Sequence, residues 1–497
     1  MYPLLGVSFF PRTDPGQFVI NLKAPTGTRV ELTEDYVQKI EDIVHEVVPK
    51  DELQIIVANI GVTPDFSAIY TPNSAPHTAF VQVSLKEGHK VGSYEYMRRV
   101  RERLSRDLPQ VSTYFQSGGL VDAVLNLGLP APIDVQVSGS NMKQTYAAAV
   151  EMASRIRRLK AVSDVLIPQD IDYPALQLDV DREKASQLGL SQKEIVDNVI
   201  TALTSDGMIA PNYWIDPKSG NPYLLTVQYA ENAVNSMSDL KQIPLRGPKI
   251  SQPTFLDSVV KVSTIASPTE VDHYQLFRVI DLYVAPKKED LGTITSQIED
   301  VLKTTNMPEG ARVTLRGSVQ GMRASFKSFG IGLILSVVLV YLVLVAQFAS
   351  WTDPFIILLA VPPGLAGVLL FLLATHTTLN VMSLMGVVMM VGIVVSNSIL
   401  IVEFARHLHH EGKPLKEAVS LASRLRLRPV LMTSLATLLG LIPMALGMEA
   451  GSEQYAPLAR AIIGGLLVSV VVTVYLVPAA YWVVHRNDER SNEEAHA

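Results

Sequence analysis

The chain has 497 residues, 48% of them hydrophobic and 18% charged, against ~25% charged in ordinary soluble domains, which excludes a wholly soluble protein. Its net charge of −6, from 42 Lys and Arg against 48 Asp and Glu, lacks the basic footprint of a nucleic-acid binder, so no nucleic-acid partner is expected. It has no cysteine, so disulfide scaffolds, zinc ribbons and cysteine nucleophiles are excluded, and thiols say nothing about the compartment.

Residues 1–327 carry charges throughout and alternate between periods of two and 3.6. Strand signals stand at Gln17–Lys23, Leu53–Asn59, Thr78–Leu85 and Gln110–Gln116, with helices predicted over Glu31–Val48 and Ser93–Leu108. In the first helix Leu32, Val37, Ile40, Val44 and Val47 should face inward. The order β-α-β-β-α-β is that of a ferredoxin-like unit. Between its second and third strands lies a long connection, Ile60 to His77, carrying Phe66, Tyr70 and three prolines. Such length points either to a substrate-gating loop or to a surface segment.

The pattern then starts again. Ile133–Ser138 reads as a strand, Met142–Leu159 as a helix, Val162–Ile167 and Pro174–Val180 as strands, and Asp181–Leu203 as helical with an internal turn. The second unit is expected to close only after an insertion, with a helix near Thr293–Lys303 and a strand near Ala311–Arg316. The insertion has strand signals at Tyr223–Tyr229 and Phe277–Ala285 and a turn-rich tip at Asp216–Asn221.

From Ser328 the chain turns apolar. Five charge-poor runs long enough to cross a bilayer are expected near 328–348, 354–374, 381–405, 429–447 and 461–484. The stretch Arg406 to Arg428 holds six Lys and Arg, including Lys413, Lys416, Arg424 and Arg426, whereas Glu449 to Arg460 holds only Arg460. The positive-inside bias therefore puts the first stretch and the C-terminal tail in the cytoplasm, and residues 1–327 outside. The first twelve residues lack the charged start and long apolar core of a signal peptide. The expectation is that Met1 is internal to a longer ancestral protein, or that a separate reading frame supplies a preceding helix.

Four stretches carry a family likeness. Gly386 to Ala405 (GVVMMVGIVVSNSILIVEFA) resembles the tenth transmembrane helix of resistance-nodulation-division (RND) efflux permeases, and Arg424 to Pro443 (RLRLRPVLMTSLATLLGLIP) resembles the start of their eleventh. Gly128 to Val137 (GLPAPIDVQV) and Asp181 to Ser191 (DREKASQLGLS) resemble parts of the same family's second-half porter domain. The likeness extends over essentially the whole chain. It implies an α+β membrane protein with two ferredoxin-like (βαββαβ) periplasmic porter subdomains, 1–118 and 119–204 plus 292–325. An inserted docking subdomain would cover 205–291, the five-helix transmembrane bundle 326–485 and a cytoplasmic tail 486–497. Family members are usually about twice this length. They work as inner-membrane trimers, export substrates against proton influx, and often partner a periplasmic adaptor protein and an outer-membrane channel.

This sequence also departs from the family. The proton-binding aspartates of RND pumps lie on the fourth helix, in the half without a counterpart here, and Ser396 stands where drug pumps have a lysine. Intramembrane ionisable groups are the default relay sites, so coupling is expected to need the N-terminal half of an RND permease as partner. Ser396, Asn397, Ser398, Thr433, Ser434 and Thr437 then have two readings. They support a proton relay whose carboxylates the other half presents, or they join helix to helix, as small polar residues commonly do. Glu403 reads as an interfacial carboxylate, and Arg426 as a positive-inside anchor that the resemblance makes a proton-exit residue.

Gly464-Gly465 should permit close helix packing, and Pro362-Pro363, Pro443 and Pro478 should interrupt or kink spans. His407, His409 and His410 read as a solvated helix end, and no metal site is expected. For substrate, Phe66, Tyr70, Phe80 and Tyr114 fall in or beside the first porter cleft, where aromatic rings suit apolar or amphiphilic cargo; Phe80 and Tyr114 also read as core. After Met1 there is no methionine before Met97, against a thioether relay for soft metals. There is no Walker-type loop and no catalytic triad, so neither an enzyme nor a cofactor is expected. The leading expectation is the C-terminal half of a proton-driven exporter of organic or amphiphilic compounds. The alternatives are a non-transporting fragment or membrane-tethered scaffold, and a heavy-metal exporter of the same superfamily.

Overall fold

The computed structural model describes residues 5–61, 73, 75–230, 233–248, 252–447 and 451–496, with side chains described up to Arg486. The first unit comprises β1 (Gln17–Lys23), α1 (Val30–Val47), β2 (Leu53–Ile60), β3 (Thr78–Leu85), α2 (Ser93–Asp107) and β4 (Ser112–Ser117). Its antiparallel sheet runs β2-β3-β1-β4, the ferredoxin-like order. Alternate residues of β1 (Phe18, Ile20, Leu22) and β3 (Val81, Val83, Leu85) meet Val37, Ile40 and Val44 of α1 and Val100 and Leu104 of α2 in one core. Leu32 instead faces outward, 47% exposed, and Thr33 takes the buried position.

After a short helix, α3 (Leu120–Leu125), the second unit opens with β5 (Ile133–Ser138), α4 (Met142–Ile156) and β6 (Val162–Leu166). The chain then departs through β7 (Tyr173–Val180), α5 (Arg182–Gln187), α6 (Gln192–Leu203), β8 (Asn212–Ile215), β9 (Pro222–Leu225), α7 (Met237–Lys241), β10 (Pro244–Leu245), β11 (Thr254–Phe255) and β12 (Val260–Ser267). It returns with β13 (Asp272–Tyr274), β14 (Phe277–Pro286), α8 (Leu291–Thr304) and β15 (Arg312–Arg316).

Strand pairing corrects the expected boundaries of the insertion. β14, not the strand at 174–180, is the third strand of the second unit: it pairs with both β5 and β6, while β15 pairs with the other edge of β5. The order β6-β14-β5-β15 repeats that of the first unit. β7 pairs over its full length with β12, in a separate two-stranded sheet. The excursion therefore lies between β6 and β13 rather than at 205–291. The reason is burial: Ile280, Leu282 and Val284 of β14 enter the core with Val135 and Val137 of β5, whereas β7 is only half-covered. α5 and α6 belong to the excursion, and pack with Leu240, Leu245 and Leu256 in a core of their own.

Among the described residues, five helices are long and apolar enough to cross a membrane, with spans at Ser318–Phe348, Thr352–Ala374, Val381–His410, Leu415–Leu446 and Ala456–Arg486. The second is two segments, α10 (Thr352–Leu358) and α11 (Val361–Ala374), broken where Pro362 and Pro363 start α11. The others are α9 (Ser318–Phe348), α12 (Val381–His410), α13 (Leu415–Leu446) and α14 (Ala456–His496). The basic stretch 406–428 is mostly helical, since α13 already begins at Leu415. α11, α12 and α13 all pack on α14. The approach is close because a Cβ on Gly367 would lie 2.5 Å from the Gly464 carbonyl, and one on Gly465 would lie 2.5 Å from Met390. α9 and α13 remain largely bare along their apolar lengths.

The N-terminal segment ties the soluble units to this bundle. Ser8 N donates to Leu379 O at 3.0 Å, Leu379 N to Gly6 O at 2.8 Å, and Val381 N, at the start of α12, to Phe9 O at 3.1 Å. Val7 N in turn donates to Asp290, the N-cap of α8, at 3.0 Å.

Candidate functional site

A cavity of about 610 Å³ lies where α2, β4 and residues 8–12 meet β6, the end of β14 and the start of α9. Its wall combines Phe9, Phe10, Tyr94, Met97, Phe115 and Leu125 with Arg12, Glu95, Arg98, Arg101 and Asp122. Two guanidinium–ring stacks stiffen it: Arg12 over Tyr94 at 4.9 Å and Arg101 over Phe115 at 4.5 Å. Arg12 is fixed by donating to the carbonyls of Pro286 (3.1 Å) and Lys288 (2.9 Å). Arg101 is fixed by Asp164, at 2.8 and 3.0 Å. Burial pushes the Asp164 carboxyl up, partly offset by Arg101. Such a wall gives a guest flat apolar area and oriented charge together, as an amphiphile requires.

The sheet brings two of the four predicted substrate residues into one row. Phe80 and Tyr114 both stand opposite Asn21, and Phe80 also stands opposite Asn59, on the face that α1 and α2 leave open. Phe80 is half-buried. Tyr114 is fully buried, packs against Tyr283 of β14 at 6.1 Å between centroids, and its hydroxyl has no hydrogen-bond partner. It borders the cavity as part of a closed seam between the units and is not a free cleft wall. Phe66 and Tyr70 lie outside the described residues.

Beside Tyr114 the seam is polar. Asp170, after β6, accepts from Lys23 Nζ at 2.8 Å, His77 Nε2 at 2.8 Å and Asn73 Nδ2 at 3.1 Å. Lys23 Nζ also donates to the carbonyls of Ile167, Pro168 and Gln169, and Tyr173 stacks on His77 at 5.4 Å. Burial pushes the Asp170 carboxyl up, but His77 and Lys23 outweigh it and hold the group at about 2. Burial lowers Lys23, and Asp170 only partly restores it.

In the bundle, Asn397 is buried and donates to Ser434 Oγ at 3.4 Å, joining α12 to α13. Ser398 returns its hydroxyl to Val394 O at 2.9 Å. Ser396 and Thr433 are exposed and Thr437 partly so; the two threonine hydroxyls bond back to their own helix. Arg426 stacks on Phe404 at 4.5 Å, and its Nε is buried without a partner. Asn397 and Ser434 are thus brought together, whereas Ser396, Thr433 and Thr437 stand on faces this chain leaves open.

The sequence matches the AcrB/AcrD/AcrF family over residues 1–485. The chain belongs to that family. Two solved structures, crystal forms I and II of a heavy metal efflux pump, share its fold with a TM-score of 0.80 at 23% identity. The match covers 97% of this chain and 48–49% of those chains, so it spans about half their length. The AcrB/AcrD/AcrF proteins are RND efflux permeases, membrane transporters rather than enzymes, and the two repeated sheets and five apolar helices are their fold.

Other polar groups of this AcrB-family chain escaped the sequence reading. Asp353 at the start of α10 is buried and pairs with His485 of α14 at 3.2 Å, while Tyr481 stacks on that imidazole at 4.4 Å. Its signal was its position: the one charge between two long uncharged runs, immediately before Pro354. The histidines that the sequence did single out, His407, His409 and His410, are exposed: His407 pairs with Glu411 at 3.2 Å, and His409 Nδ1 lies 3.0 Å from the carbonyl of Lys413. Arg101 and Asp164 carried no signal, because only the fold joins α2 to β6.

Proposed function

We propose that this chain is the C-terminal half of a proton-driven RND exporter of organic, amphiphilic compounds, acting with an N-terminal half that supplies the proton-binding carboxylates. The two ferredoxin-like units serve as porter subdomains and the excursion between β6 and β13 as the docking subdomain. The cavity between α2, β4 and β6 carries this reading, since its rings and fixed guanidinium groups offer both stacking and charge to one guest. Ser396, Thr433 and Thr437 stand on faces open to a second half, and Arg426, among the arginines at the basic end of α13, serves in this reading as a proton-exit residue. The excess of Lys and Arg over residues 406–428, spanning the end of α12 and the first turns of α13, supports an inner-membrane protein with residues 1–327 periplasmic and the C-terminus cytoplasmic. In that setting trimerisation, a periplasmic adaptor and an outer-membrane channel follow from family practice, and lipid surrounds the bundle.

The test is co-expression with an N-terminal half in cells lacking their own pumps, measuring efflux of a cationic aromatic dye. Phe10→Ala should slow efflux several-fold without lowering the amount of protein in the membrane. A well-folded pair with no efflux favours the scaffold reading. Metal export is the second reading, favoured by the heavy metal efflux pump whose fold this chain shares and by Met97 on the cavity wall. Under that reading silver or copper tolerance, not dye efflux, follows expression and falls in Met97→Leu.

A further inference from the structure

At the end of the bundle away from the soluble units, four helices come together. α9 stops there at Phe348 and α10 starts a few residues later. Arg406 of α12 donates to Phe348 O at 2.6 Å, and Ser350 Oγ accepts from Asp353 N at 3.3 Å. Asp353, buried at the start of α10, there faces His485 of α14.

Both partners stand beyond a proline. α10 is cut from α11 at residues 359–360, just before Pro362 and Pro363. In α14, Pro478 cannot bond back to Val474 O, and His485 follows about two turns later. The tight glycine packing of the bundle, Gly367 on Gly464 and Gly465 on Met390, lies on the other side of both breaks. Ile356 and Ile357 bury the inner face of α10 in the apolar core, but apolar contact has no direction. The contact from α10 to α14 that has one is Asp353 with His485.

That contact contains a proton. His485 Nδ1 lies 3.2 Å from the Tyr481 carbonyl, which can only accept, so Nδ1 carries a hydrogen. Nε2 then stands 3.2 Å from Asp353 Oδ1, a buried oxygen that has no hydrogen-bond partner apart from this contact. Two lone pairs do not face each other at that separation. Either the imidazole is doubly protonated or the carboxyl is protonated, and the pair holds one proton in both cases.

We propose that Asp353 and His485 form a one-proton site that clasps α10 to the last turns of α14, with the breaks at 359–360 and Pro478 as hinges. With the proton bound, the pair has no net charge and stays buried. Without it a bare carboxylate is left inside the bundle, which is untenable, and the clasp parts. Among the described residues the groups around the pair are Tyr481, stacked on the imidazole at 4.4 Å, and Arg406, within electrostatic reach of Tyr481 as Asp353 is. Arg486 of α14 turns onto Trp482 at 5.9 Å and Arg426 of α13 onto Phe404 at 4.5 Å, while Glu403 and His407 of α12 are exposed. The site does not depend on what the protein exports.

The chain has no cysteine, which makes the test direct. Spin labels at the exposed positions Thr352→Cys and Val483→Cys, in the full chain in lipid nanodiscs, report the distance across the clasp. Labels at Leu370→Cys and Tyr475→Cys report the packed side of both breaks. The expected result across the clasp is one narrow distribution at pH 6 and an added population, longer by several ångström, at pH 9. The second pair should keep one distribution throughout. Asp353→Asn should show the longer population at both pH values, as should His485→Gln where the first variant folds poorly. His485→Lys, still charged at pH 9, should stay narrow at both. Over the same interval, either the histidine nitrogen NMR signal that His485→Gln removes turns from imidazolium to neutral, or the carboxylic-acid infrared band that Asp353→Asn removes fades. A wild-type distribution across the clasp that is the same at both pH values overturns the proposal. So does a full pH response surviving in His485→Lys, or a change of distance with neither spectroscopic change.

Discussion

Asp170 shows how much one side chain can hold. Four side chains from the first unit, Lys23, Thr26, Asn73 and His77, converge on it, and Lys23 is taken out of water on its account. Removing one member of a buried ion pair strands the other, which costs about 3–5 kcal/mol. Asp170→Ala should therefore lower the apparent melting temperature of the soluble units sharply and expose the segment after β6 to protease. Because its folded pKa of about 2 lies below the ordinary 3.8, the carboxylate's contribution is complete above about pH 4. It is lost as pH falls toward 2, so the melting-temperature difference between wild type and Asp170→Ala should shrink over that interval. Tyr114 makes the opposite case. Its hydroxyl is buried without a partner, so Tyr114→Phe should be neutral or stabilising by up to about 1 kcal/mol, read as an unchanged or raised melting temperature. Strand alternation alone made Phe80 and Tyr114 legible as one face of a sheet. The Asp170 seam was not legible, because Lys23, Asn73, His77 and Asp170 come from segments that only the folded units bring together.

Among the elements, β7 and β14 teach the most. Both read as strands, and proximity along the chain favoured β7 as the partner of β5. β14 won because it is buried on both faces from Val279 to Ala285, the mark of a central strand, while β7 shows its Leu176 to solvent. Leu282→Ala should accordingly cost about 2–5 kcal/mol, against less than about 0.5 kcal/mol for Leu176→Ala; limited proteolysis of the two variants separates them. The membrane spans were legible because absence of charge marks the hydrocarbon core. The helix ends were not, since α9 and α13 run on through charged residues beyond it. Within the bundle the glycine contacts are the weak point. Gly465→Leu would drive a side chain into Met390 and Val368, and should destabilise the detergent-solubilised bundle by about 1–3 kcal/mol, seen as a lower temperature of aggregation.

On the scale of the molecule, the soluble part and the bundle are not merely strung together. Residues 6–9 bond to both α8 and the start of α12, and Phe9, Phe10 and Arg12 are cavity wall. The Val381 N–H is bonded to the carbonyl of Phe9 itself, with no slack residue between helix and wall. A slide of α12 along its axis by even about 1–2 Å, a usual stroke for packed helices, has two outcomes: the bond parts, or the aromatic wall travels with the helix. Arg12 meanwhile stays pinned to the carbonyls of Pro286 and Lys288. With Phe9 tied to α12 and Arg12 to the second unit, the short run of Phe10 and Pro11 would carry any such slide of α12 straight into the cavity wall.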